Sequence, residues 1–419
     1  MSQQEPSKNG LIQRLRGEFG FIAGNFAIMI ASWLILDFCT ELPATYYPLY
    51  VKALGGTAAT LGLINAVGSI AGGLVQIPGG YIADKYGRRW IITTMTFTSA
   101  FSRLLYIFAP SWEWLLMGAI LSGVTNIYGP ALNAIVADSV PKEKRGMAFT
   151  VQMLIMSVST TPAPLISGYL LTATGLIPSM RLSYGVAFLG FLAAALMRTR
   201  IKETVENPSK IDLREVASSI PMSLRGSISV WRELPRAALT LFFVDVIMSF
   251  SINIILPVLA FYIIDDLHIG EVNYSYLMTI LFVTMIAVSL PSGKIIDKIG
   301  KRKPLIAAYI LWMIAVPLFI WGDFTRIVVA MTLIGLLQVL MSGAGSALYA
   351  DLVPKEHRGK VNGARGFYIM IAGSIGQIAG GWLYDNVSHT LPFILQLPLI
   401  IVPFTLLLLY VKEPENITN

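Results

Sequence analysis

Residues 79–89 read GGYIADKYGRR and residues 292–302 read SGKIIDKIGKR. Both are compact charged turns in an otherwise apolar chain, and they lie 213 residues apart. The same shift pairs Gly80 with Gly293, Asp84 with Asp297, Gly87 with Gly300 and Arg89 with Arg302. Without a gap it also lays ALNAIVADSVPKEKRG (131–146) on residues 344–359, where ten of sixteen residues agree, and it sets Gly168 on Gly381. One shift held over so long a stretch marks a duplicated unit.

The intervening sequence says where that unit resides. Of 419 residues 55% are hydrophobic and 13% charged, the latter about half the roughly 25% usual in soluble domains. Runs such as FIAGNFAIMIASWLIL and LPLIIVPFTLLLLYV, with their neighbours, reach the length of about 20 mostly apolar residues that a bilayer crossing needs. Twelve such stretches occur, near 20–50, 58–84, 90–109, 113–138, 146–173 and 180–199, then 236–264, 273–297, 304–322, 326–350, 361–385 and 390–411. The sequence therefore predicts an all-α membrane protein of twelve spans. The first stretch exceeds the apolar core of a cleaved signal peptide and reads as a retained span. The single cysteine, Cys39, excludes an intrachain disulfide.

A net charge of +7 could point to nucleic acid, but its distribution argues otherwise. With an internal N-terminus, 27 of the 31 Lys and Arg residues fall on one side of the membrane or at helix ends there. Lys52, Arg181 and Arg326 lie opposite, and Arg103 lies within a span. This positive-inside bias places both termini in the cytoplasm of a multi-pass plasma-membrane protein and removes the nucleic-acid reading. Two basic turns on one side require an even number of spans per copy, so each copy has six. The expected divisions are a bundle over 1–200, a cytoplasmic linker over 201–235 and a second bundle over 236–419. An axis along the membrane normal would relate the two.

Gly80-x-x-x-Asp84-Lys85-x-Gly87-Arg88-Arg89 resembles the loop 2–3 signature of the major facilitator superfamily, and a drifted copy follows the eighth span. The resemblance covers the whole chain. It implies two pseudo-symmetric six-helix bundles around a central cavity that opens alternately to either side, in a monomer that moves a small molecule. The turn has its own physical logic. Gly80 allows close helix approach and Gly87 a tight turn. Asp84 ends the second span, where its carboxylate suits the positive N-terminal end of another helix. In the resembled family that helix is the eleventh, here beginning NGARGFY (362–368). Arg88 would then reach Asp138 or Glu143 at the end of the fourth span. By symmetry Asp297 and Lys301 would face the start of the fifth span and the pair Asp351 and Glu356. Arg145 and Arg358 complete the basic turns. Such a network would latch the cytoplasmic side shut; the alternative is a role in topology and folding alone.

Charges within spans are costly, so Asp37 and Glu41, four residues apart on the first span, should face a cavity or a partner. Neighbouring carboxylates in a poorly solvated site are the equipment of a proton carrier, with Asp37 the first choice, Glu41 its neighbour, and Asp245 of the seventh span the next coupling candidate. The alternative is a static pair neutralised by Arg103, on a helix that the resemblance places outside the cavity. Asp245 and Asn253 share a face of the seventh span. They join Asn126, Tyr128, Asn133 and Gln338 as cavity candidates, against the commoner role of such groups as interhelical glue. Ser159-x-x-x-Ala163-Pro164-x-x-Ser167-Gly168 is similar to the antiporter motif of the fifth span, with small residues replacing three glycines. Pro164 bends the helix and Gly168 allows close packing. Ala372-x-x-x-Gly376-Gln377-x-x-Gly380-Gly381 repeats the spacing.

The expected fourth-span arginine is absent: Trp114 stands near its place. No nucleotide-binding glycine loop occurs, and three His with one Cys cannot assemble a usual metal cluster. The sequence thus calls for no cofactor and no enzyme chemistry, with an ion gradient, the proton's, as energy source. The leading expectation is a proton-coupled exporter of amphipathic or drug-like molecules. A transporter of a small metabolite such as a sugar or organic acid is the second reading. A membrane receptor or lipid facilitator that transports nothing is the third.

Overall fold

Proline and glycine cut the apolar runs into helices. The computed structural model describes residues 20–141, 144–205, 234–353 and 358–411, and the described residues contain no strand. The first span is α1a (Gly24–Ala44) and α1b (Tyr47–Ala53), interrupted just after Pro43. Then come α2 (Ala58–Tyr86), α3 (Arg88–Ile107), and α4a (Trp112–Thr125) joined to α4b (Gly129–Ser139) by a 3₁₀ turn, Asn126–Tyr128. Next are α5a (Arg145–Thr160), α5b (Ala163–Thr174) and α6 (Leu176–Arg198). The second half opens with α7a (Arg236–Ile255), α7b (Leu259–Phe261) and a π-helical turn, Tyr262–Asp266. It continues through α8 (Glu271–Ile299), α9 (Arg302–Ile320), α10 (Phe324–Leu352) and α11 (Arg358–Asn386), ending with α12a (Leu391–Ile394) and α12b (Gln396–Tyr410). The breaks in the first, fourth, fifth and seventh spans, which hydropathy alone read as continuous, fall beside Pro43, Pro130, Pro162 and Pro257. Proline removes a helical hydrogen bond and clashes with the preceding turn.

Eleven of these spans are apolar and long enough to cross a membrane. The twelfth, α3, has the length but carries Arg88, Arg89, Arg103 and a series of Ser and Thr. It keeps these groups off lipid by turning Thr96, Ser99 and Ser102 inward, where Ser99 and Thr125 share a 2.7 Å hydrogen bond. At Gly87 and Gly300, φ of 101° and 86° turns the chain between spans, a backbone that only glycine adopts freely. Within the first half α6 packs on α1a and α3, and α2 on α4a; within the second, α9 and α8 pack on α10, and α7a on α11 and α12b. Most of the expected linker lies outside the described residues.

The halves meet along α2 with α11 and α5 with α8. Three hydrogen bonds between them cluster at one end of the molecule, the end expected to face outside. Tyr46 Oη donates to the Glu271 carbonyl (2.8 Å), Lys52 pairs with Asp265 (2.7 Å), and the Ala59 N–H donates to Asp385 (2.7 Å). Here backbones touch directly. A Cβ at Gly62 would run into the Gln377 carbonyl, and one at Gly381 into that of Ala58. Toward the cytoplasm α2 and α11 part around an opening of about 510 Å³, and a Cβ at Gly363 or Gly366 would meet nothing. The protein is closed at the end of Tyr46 and Asp385 and open at the end of the two charged turns.

Candidate functional site

Two chambers occupy the space beneath the external closure. One, of about 560 Å³, is walled by apolar and aromatic side chains of both halves, including Tyr47, Tyr274, Trp312 and Phe393; its polar groups include Glu41, Asn65 and Gln338. The other, about 600 Å³, lies toward the first half and holds Arg103, Asn126, Tyr128 and Gln377. Ala44, Tyr47, Asn65 and Leu256 belong to both walls, so the chambers adjoin.

Helix geometry separates the two carboxylates of the first span. Glu41 faces the aromatic chamber and has no ion-pair partner among the described residues. Asp37, one turn below, lies in the field of Arg198. Arg198 is fully buried in the last turn of α6, where its Nε and Nη1 donate to Ser32 Oγ (3.1 Å) and Thr96 Oγ1 (2.9 Å). Its plane lies over Tyr128, 5.6 Å from the ring centroid, and its Nη2 has no hydrogen-bond partner. By its position in the sequence Arg198 reads as one of the cytoplasmic charges. Only its burial against two hydroxyls on neighbouring helices reveals it. Arg103, expected outside the cavity, lines it and does not pair with Asp37 or Glu41.

Asp245 also has a partner the sequence did not supply. Arg365 of α11, again counted as a helix-end charge, pairs with it at 2.6 Å and lies over Tyr349, 4.7 Å from the centroid. Asn253 stands one step behind the cavity, accepting from Gln377 Nε2 (2.8 Å). Asn126, Tyr128 and Gln338 line the chambers, whereas Asn133 is exposed on α4b. Pro164 and Gly168 are buried. Gly168 lies against Ser275 across the interface, while Gly376 and Gly380 pack on α7a within their own half.

At the end of the charged turns, Arg88 bridges Asp138 and Asp84, the latter at 3.0 Å, and Lys301 pairs with Asp351. These bonds stay within their halves. Asp84 is 68% exposed, and among the described residues it makes no contact with α11 of the other half. A Cβ at Gly80 would touch only Pro130 (3.7 Å). Glu143 and Glu356, and the side chains of Arg145, Asp297 and Arg358, lie outside the described residues. Glu203, not singled out from the sequence, caps α3. Its two oxygens accept from the N–H groups of Arg88 (3.0 Å), Arg89 (2.9 Å), Thr204 (2.9 Å) and Val205 (3.1 Å). Partial burial pushes the Glu203 carboxyl upward, but these bonds win and hold it below the usual range. Among the described residues no group of His, Cys, Asp and Glu could hold a metal.

Two helical halves enclosing a cavity open to one side define a multi-pass membrane transporter. The chain belongs to the Major Facilitator Superfamily, whose profile matches residues 21–246 and 241–419. It is 27% identical over 354 residues to the multi-drug resistance efflux pump PmrA of Streptococcus pneumoniae, covering 81% of this chain and 84% of that one. An uncharacterised MFS-type transporter of Methanocaldococcus jannaschii is 25% identical over 342 residues, covering 80% and 85%. The fold matches the nucleoside transporter NupG (D323A mutant) at a TM-score of 0.67 and 12% identity, over 91% of this chain and 98% of that one. A POT family transporter in complex with 5-aminolevulinic acid gives 0.71 and 14%, over 91% and 94%. The protein works in the lipid bilayer on a small-molecule substrate.

Proposed function

We propose that the protein is a proton-coupled exporter of amphipathic, drug-like molecules, working by alternating access in the plasma membrane with both termini in the cytoplasm. One observation carries this reading: Glu41, without an ion-pair partner among the described residues, stands on the wall of an aromatic chamber that adjoins the chamber of Asn126, and Asn126 also lines the opening between α2 and α11. A charge so placed is costly in apolar surroundings unless a proton or a cation meets it. A cytoplasmic substrate entering the chamber displaces the proton; external opening releases the substrate and lets a proton return. Apolar walls with few polar groups favour amphipathic ligands over heavily hydroxylated ones. The efflux-pump relatives support export but at low identity. Asp37, the sequence's first choice as carrier, keeps a supporting role through Arg198. The test is everted membrane vesicles acidified inside: uptake of a lipophilic dye that collapses with the gradient supports the reading, and uptake indifferent to it overturns proton coupling.

A further inference from the structure

Arg103 is the cation of the site that the carrier scheme leaves unused. It lies four residues from the external end of α3 and on the wall of the 600 Å³ chamber. Its Nη1 donates to Ser122 Oγ at 3.2 Å, and its Nε is buried without a partner. The guanidinium lies over Phe191, 4.4 Å from its centroid, and over Tyr106 at 6.0 Å, so its plane is held while its Nη2 makes no hydrogen bond among the described residues. No described carboxylate lies within ion-pair distance of it. A cation in a membrane interior normally has a partner, and a planar fork of donors fits a carboxylate above other anions of one charge. Next door, Glu41 is the converse: a carboxylate without a cation. Cys39, two residues before Glu41, lies in the field of Arg103 and lines its chamber, and four residues wall both chambers. Two opposite charges thus stand apart across adjoining pockets, each without an ion-pair partner among the described residues.

We infer that Arg103 is an anion subsite and that the transported molecule is amphoteric: an aromatic body with a carboxylate held by Arg103 and a cationic group held by Glu41. The inference rests on the export site proposed above. An arginine serving only as packing between α3 and α6 would show no preference for a ligand carboxylate.

The test uses tetramethylrhodamine, which carries both a cationic ring system and a free carboxylate, its methyl ester, which keeps only the cation, and fluorescein, which keeps only the anion. Binding to purified full-length protein is read by fluorescence polarisation. Losing a charge-assisted hydrogen-bonding partner should weaken the ester by about tenfold or more relative to the free acid. Arg103→Gln should collapse that ratio to about one, whereas Glu41→Gln should weaken both rhodamines and leave their ratio standing. If Arg103→Gln does not give monodisperse protein, Arg103→Lys, which keeps the charge and loses the fork, should reduce the ratio without abolishing it. A wild-type ratio near one, an unchanged ratio in the Arg103 variant, or no binding of the free acid overturns the subsite. Gradient-driven ester uptake with a ratio near one would leave export standing and the subsite refuted. The predicted ratio without gradient-driven uptake would refute proton-coupled export and leave the subsite.

Discussion

The Asp385 carboxylate, at the external end of α11, accepts a 2.7 Å hydrogen bond from the backbone N–H of Ala59 in the first turn of α2. It joins the halves by setting a negative charge on the positive end of a helix from the other half. Asp84 occupies the reciprocal place: it ends α2 at the cytoplasmic face, where α11 begins. One antiparallel pair of helices therefore carries an acidic residue at each end, beside the partner's N-terminus. In this state Asp385 is engaged and Asp84 is not. The Lys52–Asp265 pair also bridges the halves, but with side chains 53% and 38% exposed it contributes at most about 1 kcal/mol.

Asp385→Asn should therefore loosen the external closure. A charge at a helix terminus is worth about 0.3–2 kcal/mol, enough to raise an outward-open population severalfold. Spin labels at Glu113 and Val387, on opposite halves of the external face, should show a larger long-distance fraction. An unchanged distribution would remove Asp385 from the gate.

Asp84→Asn should act in the opposite direction, depleting outward-open states with little loss of folded protein. Asp297→Asn should do the same more weakly, since Ser292 and Lys301 replace Gly79 and Arg88 in its turn. Labels across the cytoplasmic face read both; a larger effect at Asp297 would contradict the ranking.

Gly62→Val should disturb the closed external face more than Gly185→Ala. The first side chain would meet the Gln377 backbone carbonyl, whereas a Cβ at Gly185 meets nothing within 4 Å. Overpacking of this kind costs about 1–3 kcal/mol. Thermal unfolding in detergent and label distances should both shift for Gly62→Val; equal behaviour of the two variants would rule out the backbone contact.

Glu203→Gln should lower stability at neutral pH by about 1–2 kcal/mol, the worth of a helix cap. The folded carboxyl sits below its unfolded value, so its stabilisation is full above the unfolded value of about 4.3 and fades as pH falls through the folded one. The gap between wild type and variant should close on acidification. A gap that persists below that range would mean that Glu203 acts through packing.

The sequence made the span count, the duplication and the charged turns legible because hydropathy and repeat spacing are local signals. Arg88 meets Asp138, and Lys301 meets Asp351, where the repeat set them. Arg198, Arg365 and Glu203 were not legible. Each stands near a cytoplasmic helix end, where a charge in water and a charge turned inward have the same sequence signature. Asp385 was hidden for a related reason, since its partner is a backbone N–H with no side chain to mark it. The family pattern sets the helix of Arg103 outside the cavity, whereas the serine and threonine face of α3 brings its last turns to a chamber wall, where Arg103 makes no pair with Asp37.

The central claim is that Glu41 is where proton and substrate exchange. The most direct measurement is uptake of tetramethylrhodamine methyl ester into everted proteoliposomes under an imposed pH gradient, comparing wild type, Glu41→Gln and Asp37→Asn. The account predicts accumulation against the concentration gradient by wild type and none by Glu41→Gln, which should still allow the dye to equilibrate. Asp37→Asn should accumulate dye at a reduced rate. Full gradient-driven accumulation by Glu41→Gln would contradict the account and move the carrier to Asp37.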